Sequence, residues 1–238
     1  MRTSRPSAYR RSVDSLAELR ARVTSGYARL GLPSWPDPHP QRDPREEEYS
    51  RLTEPERYRI VHARARVWSE QLAERPGVRV EDLGPSRLDD EGHAGSFDRG
   101  VRLTSSRPGT PPLLLLERDV RISPQIEAVL AVLQISVVRP EVALEVQPDC
   151  GCDACDSGSA DLLEAIDETI GRVLGGPTVV LRGKGWHAEW HPDGGSSGGT
   201  GRALNHAELM DQCRRLARGE DVRLPRGTEA LVGRPWFD

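Results

Sequence analysis

The chain has 238 residues, room for one large domain or two small ones, and the 36% that are hydrophobic still permit a core. Lys and Arg number 33 against 37 Asp and Glu, a formal charge of −4, so the basic surplus of a general nucleic-acid binder is missing. No apolar run approaches the ~20 residues of a membrane span, and neither nucleic acid nor membrane is expected as a partner.

The opening residues carry Arg2, Arg5, Arg10 and Arg11 without an apolar segment. A frayed end is expected there, with no secretory leader. Val13, Leu16, Leu19, Val23, Tyr27 and Leu30 recur every three or four residues and predict a helix that stops at Gly31. Prolines at 33, 36, 38, 40 and 44 then make an extended connector. A second helix is expected from Thr53, where Thr53 and Glu56 read as a capping box with Pro55 in the first turn. Its buried stripe is Ile60, Ala63, Val67 and Leu72, and Pro76 follows its end. Residues 1–50 thus read as an N-terminal helix and Pro-rich connector, and residues 51–238 as a single α+β domain.

The middle of the chain changes period. Val78 to Val80, Val101 to Leu103 and Leu113 to Leu116 predict strands, with a polar loop over Asp89 to Asp98. Residues 126–138 are ambiguous, though Val132, Ile135, Val137 and Val138 favour a strand in the second half. Val142, Leu144 and Val146 alternate as a returning strand after the turn at Arg139, Pro140 and Glu141. A helix from about Ser159 to Leu174 is expected from Leu162, Leu163, Ile166, Ile170 and Val173, with acids at its start that suit the helix dipole. Thr178 to Leu181 and Trp186 to Trp190 predict a hairpin. Gly194 to Gly201 reads as a mobile loop. Asn205 caps a last helix to about Ala217, and residues 219–238 read as irregular. The fold class expected is α+β: an antiparallel sheet of short strands and hairpins with about four flanking helices.

Three of the four cysteines fall in Asp149-Cys150-Gly151-Cys152-Asp153-Ala154-Cys155-Asp156. A Cys-x-Cys-x-x-Cys turn is able to point three thiolates at one centre, and zinc takes four such ligands. Cys150, Cys152 and Cys155 are therefore candidate zinc ligands, with Cys213 as the candidate fourth. Two other readings stay open. The thiols can be small packed groups in a turn set by Gly151. Alternatively Cys152 and Cys155 form a redox pair, although such a pair belongs at a helix start and three nearby aspartates disfavour thiolates. A structural disulfide fits poorly without a secretory leader.

The run Pro148 to Ser159 (PDCGCDACDSGS), entered from a Val/Leu-rich strand and followed by an acidic helix, resembles an uncharacterised actinobacterial family of domain-of-unknown-function proteins. Tyr58 to Ala65 (YRIVHARA) and the Pro-rich lead-in are similar too, so the resemblance covers most of the chain. It implies a cytoplasmic protein and brings no activity and no catalytic residue.

Weaker patterns remain. His187, Glu189 and His191 share one face of a strand with Trp186 and Trp190 behind; an exposed face over a Trp core is preferred to a metal or acid–base site. The Gly194 to Gly201 run lacks the lysine and hydroxyl end of a phosphate loop. Ser196 in Gly-Gly-Ser-Ser-Gly lacks a strand-to-helix elbow. Arg57, Arg59, Arg64 and Arg66 read as a solvated, salt-paired face, and His62 as a packed polar residue. The acidic stretch from Asp149 to Glu168 is the natural contact for a basic partner. Together these observations lead to a non-catalytic, cytoplasmic protein that binds another, unidentified protein. The alternatives are a thiol–disulfide redox protein and an immunity-type binding module with metal-free cysteines.

Overall fold

The structure is a computed structural model, and it describes residues 15–90, 93–123, 126–199 and 205–237. The frayed end expected before Asp14 lies outside the described residues. Helix α1 spans Leu16–Ala28 and opens on a reciprocal cap: Ser15 Oγ accepts from the Glu18 N–H at 3.2 Å, and Glu18 Oε2 accepts from the Ser15 N–H at 2.7 Å. Leu19 and Val23 are its buried stripe. The Pro-rich connector follows and is extended except for a tight turn at Glu46–Ser50.

The second helix starts later than its sequence suggests. A tight helical turn occupies Pro55–Arg59, and α2 runs from Ile60 to Ala73. The capping box predicted at Thr53 does not form. Glu54 holds a left-handed backbone, φ 52°, and the Thr53 N–H and hydroxyl both donate to Asp153, each at 2.7 Å. A carboxylate far along the chain outcompetes the local Glu56.

The first sheet is antiparallel, in the order β1 (Val78–Leu83), β4 (Arg99–Ser105), β5 (Leu113–Ser123), β6 (Ile126–Val137) and β7 (Ala143–Gln147). The ambiguous stretch is strand from Ile126 to Val137, but Val138, read as part of it, instead turns the chain with a left-handed backbone, φ 65°. Leu103, Leu113, Leu115, Leu133, Ile135 and Val137 face the helices, in one core with α1, α2 and α3 (Ser159–Gly175). Leu114 and Leu116 point the other way and are covered by Phe97 and Leu88. Those two belong to a hairpin, β2 (Ser86–Asp90) and β3 (His93–Phe97), where a loop was expected. Among the described side chains of this hairpin, Leu88 and Phe97 are the apolar ones that meet the sheet.

The second sheet runs β10 (Gly194–Gly199), β9 (Trp186–His191), β8 (Thr178–Gly183), β11 (Glu229–Gly233). Two expectations are corrected here. The run read as mobile is an edge strand through Gly199, with its remainder outside the described residues. A Cβ on Gly195 would come within 2.5 Å of both the Met210 sulfur and the Glu189 carbonyl oxygen, so close packing demands glycine there. The segment read as irregular supplies β11. Val179, Leu181 and Ala188 turn toward α4 (His206–Ala217), while Val180 and Leu231 turn toward the main core. Asn205 caps α4, accepting from the Ala207 N–H at 3.0 Å.

Four helices flank antiparallel sheets, which is the expected α+β class. Among the described residues no helix is long and apolar enough to cross a membrane.

Candidate metal centre

The cysteine segment lies between β7 and α3, after a cis Gln147–Pro148 bond. Its backbone presses on the first sheet at Gly151, where a Cβ would meet Leu130 Cδ2 at 2.6 Å. A short turn, Asp153–Cys155, then folds the thiols together. The sulfurs of Cys150, Cys152 and Cys155 all lie within 4.8 Å of one another. Cys150 and Cys152 are 3.2 Å apart, and the Cys152 N–H reaches the Cys150 sulfur at 3.5 Å. Cys150 and Cys155 are exposed and Cys152 is half-buried, so the cluster opens on the surface.

The loop is clamped by partners about a hundred residues away in sequence. Asp153 is buried; its carboxylate accepts from Arg51 Nε at 2.6 Å and from Thr53, and its N–H donates to the Arg51 carbonyl at 2.8 Å. Asp156, also buried, accepts from the Trp35 indole at 3.0 Å, from the Gly158 N–H at 2.9 Å and from Arg57. The Arg57 guanidinium lies 4.6 Å from the Trp35 ring centroid, and Trp35 meets Tyr58 edge-on at 5.6 Å. Ser159 closes the clamp by donating its N–H to the Trp35 carbonyl at 3.0 Å. Two of the three carboxylates expected to repel thiolates, Asp153 and Asp156, are therefore paired with arginines. Asp149 stays exposed and accepts the Cys150 N–H at 2.7 Å.

Cys152 and Cys155 do not ionise alike. Burial raises Cys152, but hydrogen bonds from Cys150, Cys155 and the backbone bring it below the usual thiol range. Cys155, hydrogen-bonded to Cys152 and partly desolvated, is pushed up to about 12. Of these two, Cys152 is therefore the thiol that ionises more readily.

Cys213 is not part of this group. It is wholly buried under the second sheet with Val179, Leu181, Ala188 and Leu209, and burial lifts its thiol to about 11. Its position in α4 packs it as an apolar group, so the fourth ligand expected there is not supplied by it. The His187, Glu189 and His191 face divides as well. His187 is exposed, whereas Glu189 and His191 line a cavity against α3; the three do not converge as metal donors. Ser196 sits on β10 within a hairpin, with no helix elbow.

Of the clamp residues, Trp35 and Arg51 carried no local signal, while Thr53 and Arg57 were read as a helix cap and part of a solvated face rather than as partners of the cysteine loop. The only hint of the clamp was an indole and three donors in segments otherwise rich in proline and charge.

No curated protein and no solved structure matches the chain. Residues 24–238 match the model of a family of unknown function, DUF6226, which includes the centre and its clamps, and the chain belongs to that family.

Proposed function

We propose that Cys150, Cys152 and Cys155 hold a zinc ion that pins β7 to α3 in a non-catalytic, cytoplasmic protein-binding module. The observation that carries this reading is the convergence of three sulfurs within 4.8 Å in a loop whose two buried aspartates, Asp153 and Asp156, are already paired with arginines. Soft thiolates in a tight turn suit zinc, and a bound cation would favour ionisation of all three thiols. The surface position of the cluster leaves the fourth place to water or to a side chain of the partner protein. Exposed Asp149, Asp161, Glu164 and Glu168 lie on the same stretch and give a basic partner its contact.

The test is elemental analysis with a thiol count on full-length protein purified without chelator. About one zinc per chain is expected, with three thiols protected until chelator is added. Cys152→Ser should then lower the melting temperature, because structural zinc contributes directly to folding. No metal with freely titrating thiols would overturn the reading, and no metal with a missing pair of thiols would replace it with disulfide chemistry.

A further inference from the structure

A cavity of about 450 Å³ opens between α3 and the second sheet, distinct from the cysteine centre. Its walls differ in chemistry. Arg20 from α1 and Glu168 and Arg172 from α3 stand on the helical side; Glu189 and His191 from β9 stand on the sheet side, followed by Asp193 at the turn and the Gly194 to Ser196 backbone along β10. Arg172 is bonded to Glu168 at 3.0 Å and Arg20 to the Asp167 carbonyl at 3.3 Å, each through one N–H of a five-donor group. His191 Nδ1 accepts the Asp193 N–H at 3.1 Å, which leaves Nε2 as the proton-bearing nitrogen of the neutral ring.

Glu189 is the unusual member. It is largely buried, and among the described residues it has neither a hydrogen-bonded donor nor a cation within ion-pair distance. Burial first, and then the Glu145 carboxyl on β7, push it up to about 7, with Arg172 pulling the other way. Glu145 is itself raised by burial, and among the described residues it is bonded to Gln147 and the Val146 N–H. A carboxyl in this state gains most from a cationic nitrogen placed beside it. The guanidiniums across the cavity suit an anion at the other end of the same molecule. The volume is that of a small-molecule site.

We infer that this cavity binds a small zwitterion of the amino-acid type, its ammonium against Glu189 and its carboxylate against Arg172 and Arg20. His191 adds a neutral donor, and the ligand bridges helix and sheet. Ionising Glu189 is part of binding, so affinity tightens as pH rises from 6 to 8.

The experiment is an amide NMR titration of the full chain at pH 8 with each of the twenty free L-amino acids. Acetate and methylammonium serve as single-charge controls. Saturable shifts at Gly194 to Ser196 and Glu168 to Arg172 are expected for at least one amino acid. That amino acid should bind at least ~10-fold tighter than either control and ~10-fold weaker at pH 6, about 1.4 kcal/mol per factor of ten. Glu189→Gln keeps the side chain's shape and should cost ~10-fold in affinity; Arg172→Gln, at an exposed helical position, should do the same. No saturable shift with any amino acid would overturn the inference. So would equal binding of the single-charge controls, or binding indifferent to both variants.

Discussion

Asp153, Asp156 and Asp167 each accept hydrogen bonds from an arginine in the stretch between residues 51 and 64, namely Arg51, Arg57 and Arg64. The Arg64 side chain is only 5% exposed, and Asp167 also accepts the Trp68 indole N–H at 2.7 Å. The arginines expected on a solvated face are therefore partly interior. Breaking a buried pair from one side leaves the other charge stranded. Asp167→Ala should cost roughly 3–5 kcal/mol in urea unfolding at neutral pH, and Asp167→Asn distinctly less. A loss below about 1 kcal/mol would mean the pair contributes little. Glu189 works in the opposite sense. Its folded-state pKa is raised above the unfolded value, so the folded chain retains a proton that the unfolded chain has lost. Stability then falls as pH climbs from about 4 to 7 and levels off above. Glu189→Gln should match the wild type near pH 4 and exceed it above pH 7, by about 3 kcal/mol at most. A constant difference across that range would refute the assignment. Asp153 has the reverse sign: although burial raises it, Arg51 and Thr53 lower it overall, so its contribution is lost only as pH drops below the ordinary carboxylate range.

At the scale of elements, the joint between the connector and α3 is close-fitting. Gly158 has φ 91°, and a Cβ there would lie 2.6 Å from the Asp37 nitrogen and 2.9 Å from the Pro36 carbonyl carbon. Backbone strain and collision act together. Gly158→Ala should lower stability by roughly 2 kcal/mol or more in a denaturant titration. A midpoint shift worth less than about 0.5 kcal/mol would show that the connector yields instead. The elements themselves were legible where periodicity was strong. Leu162, Ile166, Ile170 and Val173 announced α3, and Val142, Leu144 and Val146 announced β7. Legibility failed where tertiary contact overrides local preference. Gly195 reads as linker chemistry, but its missing side chain is what admits Met210 and the β9 backbone. Phe97 and Leu88 are too few to mark strands, though they suffice to cover Leu114 and Leu116.

For the whole molecule, the cysteine trio was visible in its spacing, because bringing together three thiols within six residues needs only a turn. Its surroundings were not visible. Thr53 and Arg51 meet Asp153 about a hundred residues along the chain, and no local window joins them. Cys213 shared only a residue type with the trio, and the second core under α4 claims it. Two cores divide the second sheet between them, so each of its faces answers to a different neighbour.

Trp35 has a consequence of its own. Its indole N–H binds Asp156, the residue directly after Cys155, and its ring lies against Arg57 and Tyr58. An indole held in this way is an optical gauge of the loop it touches. Stripping metal from the wild type with chelator should change the intensity and emission maximum of its fluorescence, and Trp35→Phe should abolish most of that change. A signal that survives Trp35→Phe would place the reporting ring elsewhere. The protein thus carries its own fluorophore one hydrogen bond away from the cysteine turn.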